Sequence, residues 1–294
     1  MGSTTMKNGK ATRRLLAGMA AGLALSAFAE RSTAQEILLT GPLAGAPAAR
    51  KLRLYREGRF EVAPAASFTL LDEYQRQIFF GLRVNYNFTD WLAFGVWGAF
   101  SPDFVKINTS LSEEIQTVNE ARPANSFNRQ LTRVNLGPDF TEQLGTMDWV
   151  VAPQLTLVPF RGKIAIFQSI FVDTDLYVFG GPAFVGVRER GDCGEDADLP
   201  CTDPESFELA SRMAIAPTFG LGFTFYVNKW NAFGFEWRGL PFSRNTGGFD
   251  NRGADPDGRF PDLSVNDEDR EFKFNQMLTV SWGFYFPTDY RVSE

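Results

Sequence analysis

Between Ile78 and Phe88 the even positions read Ile78, Phe80, Leu82, Val84, Tyr86 and Phe88, while the odd positions read Phe79, Gly81, Arg83, Asn85 and Asn87. Successive side chains of a β-strand point to opposite faces, so this stretch predicts a strand with one wholly apolar side. The same alternation closes the chain. Phe272, Phe274, Leu278, Val280, Trp282, Phe284 and Phe286 share a side broken only by Gln276, opposite Lys273, Asn275, Met277, Thr279, Ser281, Gly283 and Tyr285. Six further stretches alternate in the same way: Arg59–Leu71, Trp91–Phe100, Asp148–Phe160, Asp175–Val187, Met213–Val227 and Asn231–Phe242. Each is long enough for the ~9–11 residues of a tilted membrane crossing.

The links between these stretches alternate in length. Asp72–Arg76, a long polar stretch 101–147, an acidic stretch 188–212 and a third stretch 243–270 fall at one end. Thr89-Asp90 and Asn228-Lys229 fall at the other, together with Arg161–Thr174, whose middle is expected to form a short helix at the membrane interface. Short turns on one side and long loops on the other are the asymmetry of outer-membrane barrels. The two shortest links belong to a repeat. "NYNFTDWLAFGVWG" and "FYVNKWNAFGFEWRG" share an aromatic, an Asn-containing corner and Trp-x-Ala-Phe-Gly. Both are expected to be tight turns at the periplasmic edge, with Trp91 and Trp230 in an interfacial aromatic girdle.

Periodicity alone does not say which face is inside. Size does. An eight-stranded barrel encloses an interior just wide enough for side chains, and roughly half of each strand is Phe, Trp, Leu, Ile or Val. The opposite faces offer Gly, Ala, Ser, Thr and Asn with a few charges, which suit a narrow lumen. The expected fold is therefore all-β: a closed antiparallel up-and-down transmembrane barrel of eight strands, its apolar faces toward lipid.

An export signal precedes it. Lys7, Lys10, Arg13 and Arg14 come before the apolar run Leu15–Leu25, and Ala27-Phe28-Ala29 is a cleavage site, with Ala34 the alternative. The organisation read from this is a signal peptide at 1–29, a periplasmic extension at 30–57, the barrel at 58–287 and a periplasmic tail at 288–294. Of 294 residues, 294 − 34 = 260 or more remain after cleavage. Removing four basic residues takes the formal charge from −6 to −10 (−6 − 4), which argues against nucleic-acid binding. The 29 Phe sit in a chain of mean hydropathy −0.18, as expected where rings are displayed on one face only. Cys193 and Cys201, in an exported acidic loop, are expected to form a disulfide.

Glu61, Arg83, Glu236 and Arg238 all take lumen-side parity, and unpaired buried charges are costly. They are expected to pair as a lumen charge network, either a structural plug or a gate for a minor ion-conducting state. The acidic stretch around Asp250–Asp269 does not match the spacing of a calcium loop. No cofactor, metal or catalytic residues are assigned.

With its strand number, turn asymmetry and aromatic banding, the chain resembles the small outer-membrane barrels of OmpA/OmpX type. More narrowly, Thr40–Arg76 together with "NYNFTDWLA" and "GKIAIFQSIFVDTDLYVFGG" resembles a family of uncharacterised outer-membrane β-barrel domain proteins of Gram-negative bacteria. The resemblance implies a location in the outer membrane and a fold, with no activity. The membrane-barrel enzymes (phospholipase, lipid A acyltransferase and deacylase, omptin protease) resemble one another in using a catalytic histidine. This chain has no His, so an enzyme is not expected. The family's aromatic terminus is displaced: Phe286 is followed by "PTDYRVSE", which puts the signal for the barrel-assembly machinery at "SWGFYF". The expected role is non-enzymatic, structural or surface-interacting through external loops, as a monomer among outer-membrane lipids and lipopolysaccharide. The alternatives are a narrow pore for small solutes or ions and a soluble periplasmic barrel around an apolar ligand.

Overall fold

The computed structural model describes residues 56–121, 140–166, 170–191, 209–253, 257–258 and 265–288. The segment read as an export signal, nearly all of the 30–57 extension and of the tail, and both cysteines lie outside the described residues.

In chain order the elements are β1 (Arg59–Leu70), β2 (Gln75–Asn87), β3 (Leu92–Phe100), the short β4 (Lys106–Asn108) and helix α1 (Ser110–Glu120). They continue with β5 (Thr146–Ile166), β6 (Ile170–Arg190), β7 (Leu209–Tyr226), β8 (Asn231–Arg244) and β9 (Glu271–Phe286). Eight long antiparallel strands pair in sequence order, and β1 pairs with β9, closing the sheet. Strand β4 adds to β2 above the point where β3 ends. Closure leaves no strand edge along the barrel wall, so the backbone is satisfied without solvent.

The registers define the barrel's stagger. A path across the strands from Phe60 passes Tyr86, Phe94, Leu155, Gly180, Phe219, Gly239 and Gln276 and returns to β1 at Leu70. The return lies ten residues above the start (70 − 60). For eight strands such a stagger tilts them about 40° from the axis. Ten residues at ~3.3 Å each then span roughly 25 Å of height, the height of the apolar band on membrane barrels.

Every strand turns its apolar set outward. Phe60, Phe80, Leu82, Val96, Leu155, Phe219, Phe235 and Trp282 are exposed on the outer wall, while Glu61, Arg83, Asn85, Gln154, Glu236 and Arg238 are buried inside. The one polar break in the last strand is resolved locally: the Trp237 indole N–H donates to the Gln276 side-chain oxygen at 3.0 Å.

The repeated corners make one repeated turn, both at what we term the lower end. Phe88 and Thr89 N–H groups donate to the Leu92 carbonyl at 3.0 and 3.3 Å, and Val227 and Asn228 donate to the Asn231 carbonyl at 3.1 and 3.2 Å. In return the Leu92 N–H donates to Thr89 Oγ1 at 3.1 Å, and the Asn231 N–H to Asn228 Oδ1 at 2.8 Å. Thr and Asn are interchangeable here because each offers a side-chain acceptor to a backbone N–H two or three residues on.

Three expectations need correction. The link read as a short helix within Arg161–Thr174 is strand instead: β5 runs on to Ile166 and β6 resumes at Ile170, paired throughout. Its run of β-branched residues favours a pleated ribbon over a helix, and this ribbon extends below β3, whose pairing with β5 stops at Leu157. The external stretches are also shorter than read, because β6 extends to Arg190, β7 begins at Leu209 and β8 reaches Arg244. Finally, the upper lumen is not filled by small residues. Phe79, Trp97, Met147, Leu240, Phe242 and Met277 pack there as a buried apolar cluster. Two further rings, Phe179 and Tyr177, are buried in a separate cluster, where Gly220 and Gly222 make the room: a Cβ at either would clash with them.

Candidate functional site

The lumen charges come from strands that the stagger brings face to face. Glu61 on β1 accepts from Arg83 Nη2 on β2 at 2.7 Å. Arg83 Nη1 reaches across to Glu236 Oε2 on β8 at 2.8 Å. The other oxygen of Glu236 accepts from Arg238 Nη2 at 2.8 Å. All four side chains are buried, and they stand in one chain of alternating sign.

The chain is longer than its parity-matched residues suggest. Arg56 Nη2 lies 3.6 Å from Glu61, and its Nη1 lies 3.5 Å from Asp175 on β6. The ladder therefore runs Asp175, Arg56, Glu61, Arg83, Glu236, Arg238, with three charges of each sign. The Tyr226 hydroxyl donates to Asp175 at 2.7 Å, and the Tyr177 hydroxyl bridges Arg83 at 2.8 Å and Glu236 at 3.1 Å. Asp175 and Tyr177 were not among the residues assigned to the network from the sequence, although they share the parity of the buried face of β6. Arg56 was not either, because it precedes the first alternating stretch and enters from below.

Arg238 ends the ladder. Its guanidinium carbon sits 4.2 Å from the Trp97 ring centre and 4.3 Å from that of Phe179, between two aromatic rings. Nη2 also donates to Gln154 Oε1 at 2.8 Å and Nη1 to Thr218 Oγ1 at 3.1 Å. A planar cation suits that slot because its faces stack while its edge donates. Above it lies the apolar cluster; below everything, Arg59 donates to the carbonyls of Pro287, Lys229 and Tyr285 at 2.8, 2.8 and 2.9 Å.

At the upper mouth the described parts of the connections pack on one another. Phe140 and Phe249 stack at 5.8 Å with the Tyr74 ring edge-on to both. Arg244 ties Asp72 (2.9 Å) to the Gly145 carbonyl (3.2 Å), and Gln143 Nε2 donates to the Gly247 carbonyl at 2.8 Å. Among the described residues, no group of three or more His, Cys, Asp or Glu is placed to hold a metal ion.

Above the apolar belt, Glu189 clamps two external connections. Its Oε1 accepts from Arg270 Nε at 2.6 Å and from Arg212, and its Oε2 accepts the Asn245 N–H at 3.0 Å. Burial pushes this carboxyl up, but the hydrogen bonds from Arg212, Asn245 and Arg270 outweigh it and hold it below its ordinary 4.5. A lowered carboxylate stabilises the fold above its unfolded pKa, and that contribution is lost as pH falls through the folded value. Glu189→Gln should therefore cost about 2 kcal/mol at pH 7, the scale of hydrogen bonds to a buried charge. The difference from wild type should shrink toward zero as detergent-solubilised protein is unfolded at successively lower pH, below 4.5. A gap independent of pH would show that the carboxylate charge is not what holds the clamp.

Trp91 and Trp230, expected at an interface, are both exposed at the lower end, beside Phe60, Phe88, Phe160 and Phe286. The loop residue missed in the sequence is helix α1, inside a stretch read as polar. Its signal was present: Thr109 caps it by accepting the Ser112 N–H, and Leu111, Ile115 and Val118 follow at helical spacing.

No family model matches the chain, and no curated protein does. Solved structures do. The N-terminal β-barrel domain of Pseudomonas aeruginosa OprF matches with 10% identity and a TM-score of 0.39, over 78% of this chain and 98% of that one. Ail, the attachment invasion locus protein of Yersinia pestis, matches with 12% identity and a TM-score of 0.32, over 78% and 99%. The outer membrane protease OmpT from Escherichia coli matches with 8% identity and a TM-score of 0.28, over 78% and 96%. At these scores none of them bears on what this chain does.

Proposed function

We propose that this chain is an integral outer-membrane barrel of a Gram-negative bacterium, acting as a non-enzymatic scaffold that presents its external connections for structural or surface interaction. The observation that carries this reading is the pairing of an apolar outer wall with a filled, charge-paired lumen. A soluble barrel needs the reverse arrangement, since water would otherwise meet a contiguous apolar surface far beyond what monomeric proteins expose. The sequence of 1–29, read as an export signal, supports the location. Recognition then falls to the connections at the upper end, where a rigid wall carries variable segments.

The narrow-pore alternative meets two obstacles in the lumen, the Arg238 slot and the apolar cluster above it. The charge ladder is accordingly assigned a structural role. Cell fractionation and unboiled electrophoresis test the reading. The protein should pellet with the outer membrane, run faster unboiled than boiled in SDS, and leave planar bilayers silent. Recovery as a detergent-free monomer would overturn the membrane assignment, and steady conductance would return the pore reading.

A further inference from the structure

Helix α1 is mounted on its polar side. The Thr109 N–H donates to the Tyr74 carbonyl at 2.9 Å, Thr109 Oγ1 to the Glu73 carbonyl at 2.7 Å, and Ser112 Oγ to the Tyr74 carbonyl at 2.9 Å. Those bonds fasten its first turn to the β1–β2 turn at the barrel's upper rim. Ser112 and Asn119 are the buried residues of the helix, whereas Leu111 and Val118 are 47% and 49% exposed. At ~100° per residue, Ser112 and Asn119 lie within about 20° of each other, and Leu111, Ile115 and Val118 occupy an arc of about 60° roughly a quarter turn away. Glu113, Thr117 and Glu120 fill the side opposite that arc, while Glu114 flanks Val118. A helix that packed only against protein would bury its apolar arc. This one leaves Leu111 and Val118 open, with Ile115 half-buried.

The apolar arc has a continuation below it. Phe104 is 86% exposed and Ile107 54%. Ile107 stands opposite Arg76 on β2, and the next residues on that outward face are Ile78 and Phe80, the top of the apolar belt. Exposed apolar side chains thus occur in turn at the top of the belt, on the segment through β4 and on the helix that follows it. We infer that α1 is an interfacial helix, its Leu111–Ile115–Val118 arc seated among acyl chains at the headgroup boundary of the outer leaflet. The inference rests on the proposed membrane reading. Its acidic far side stays in water and sets the depth, since a carboxylate has no partner among acyl chains; attachment is apolar rather than electrostatic. The chemistry recognised is the hydrocarbon edge of a lipid leaflet.

Single nitroxide labels test this in the full-length protein, with Cys193 and Cys201 replaced by serine, reconstituted into phosphatidylethanolamine–phosphatidylglycerol vesicles. Labels are placed through Leu111→Cys, Val118→Cys, Glu113→Cys and, as a belt reference, Leu82→Cys. Each variant is first checked for faster unboiled mobility. Collision rates with oxygen, which partitions into lipid, and with a water-soluble nickel chelate report immersion. The ratio of oxygen to nickel accessibility should be severalfold higher at 111 and 118 than at 113, and highest at 82. If 111 and 118 are as open to nickel as 113, or shielded from both reagents, α1 does not touch lipid and the inference fails while the barrel stays in the membrane. If 82 itself shows no preference for oxygen, the membrane reading fails first.

Discussion

Glu236→Gln should cost the barrel about 3–5 kcal/mol, the penalty for breaking a buried ion pair by removing one partner. Glu236 is the hinge of the ladder: its two oxygens take Arg83 and Arg238 at 2.8 Å each, and Tyr177 adds a third bond at 3.1 Å. An uncharged amide leaves Arg83 with Glu61 as its one hydrogen-bonded carboxylate and Arg238 with neutral partners only. The double variant Glu236→Leu with Arg238→Met should recover most of the loss, because it removes both members of a pair and keeps the volume apolar. Urea unfolding in lipid vesicles, followed by tryptophan fluorescence, measures both. A single variant within about 1 kcal/mol of wild type would show that the ladder is hydrated and contributes little.

Leu82→Arg separates the two ways of reading the wall by size. Leu82 is outward on β2, near mid-height between Phe60 and Leu70 on the adjacent strand, opposite Pro64. If that face meets hydrocarbon, an arginine there should destabilise by about 2–4 kcal/mol, and one at a rim position by about 1 or less. If the face meets water, the same change belongs with surface substitutions and stays within about 0.5 kcal/mol. The comparison of the two depths in the same vesicles is therefore decisive for orientation, independently of where the protein is found in a cell.

The strands were legible because a period of two is a local property, written residue by residue. Ile78–Phe88 shows its faces without knowing any partner. The choice of the apolar side as the outer one was also legible, since a narrow barrel has no room for so many rings. Large side chains nevertheless enter the lumen where a neighbouring strand supplies glycine, as Gly220 and Gly222 do for Phe179 and Tyr177. That exchange is between strands, and no single strand announces it. The ribbon below β3 was misread for a related reason: a run such as "GKIAIFQSIF" is compatible with helix or strand until a paired partner selects one.

Parity placed Glu61, Arg83, Glu236 and Arg238 on one wall but not at one height. What joined them is the ten-residue stagger, which sets β1, β2 and β8 residues level across the lumen, and the stagger is a sum over all the registers. Arg56 joined the ladder only through the path of the chain below β1. From its residues alone, this protein determined eight alternating strands, their two repeated corners and which faces meet lipid, because alternation and turn chemistry act within a few residues. Closure, stagger and the pairing of distant charges were decided in three dimensions, because each depends on where other strands stand.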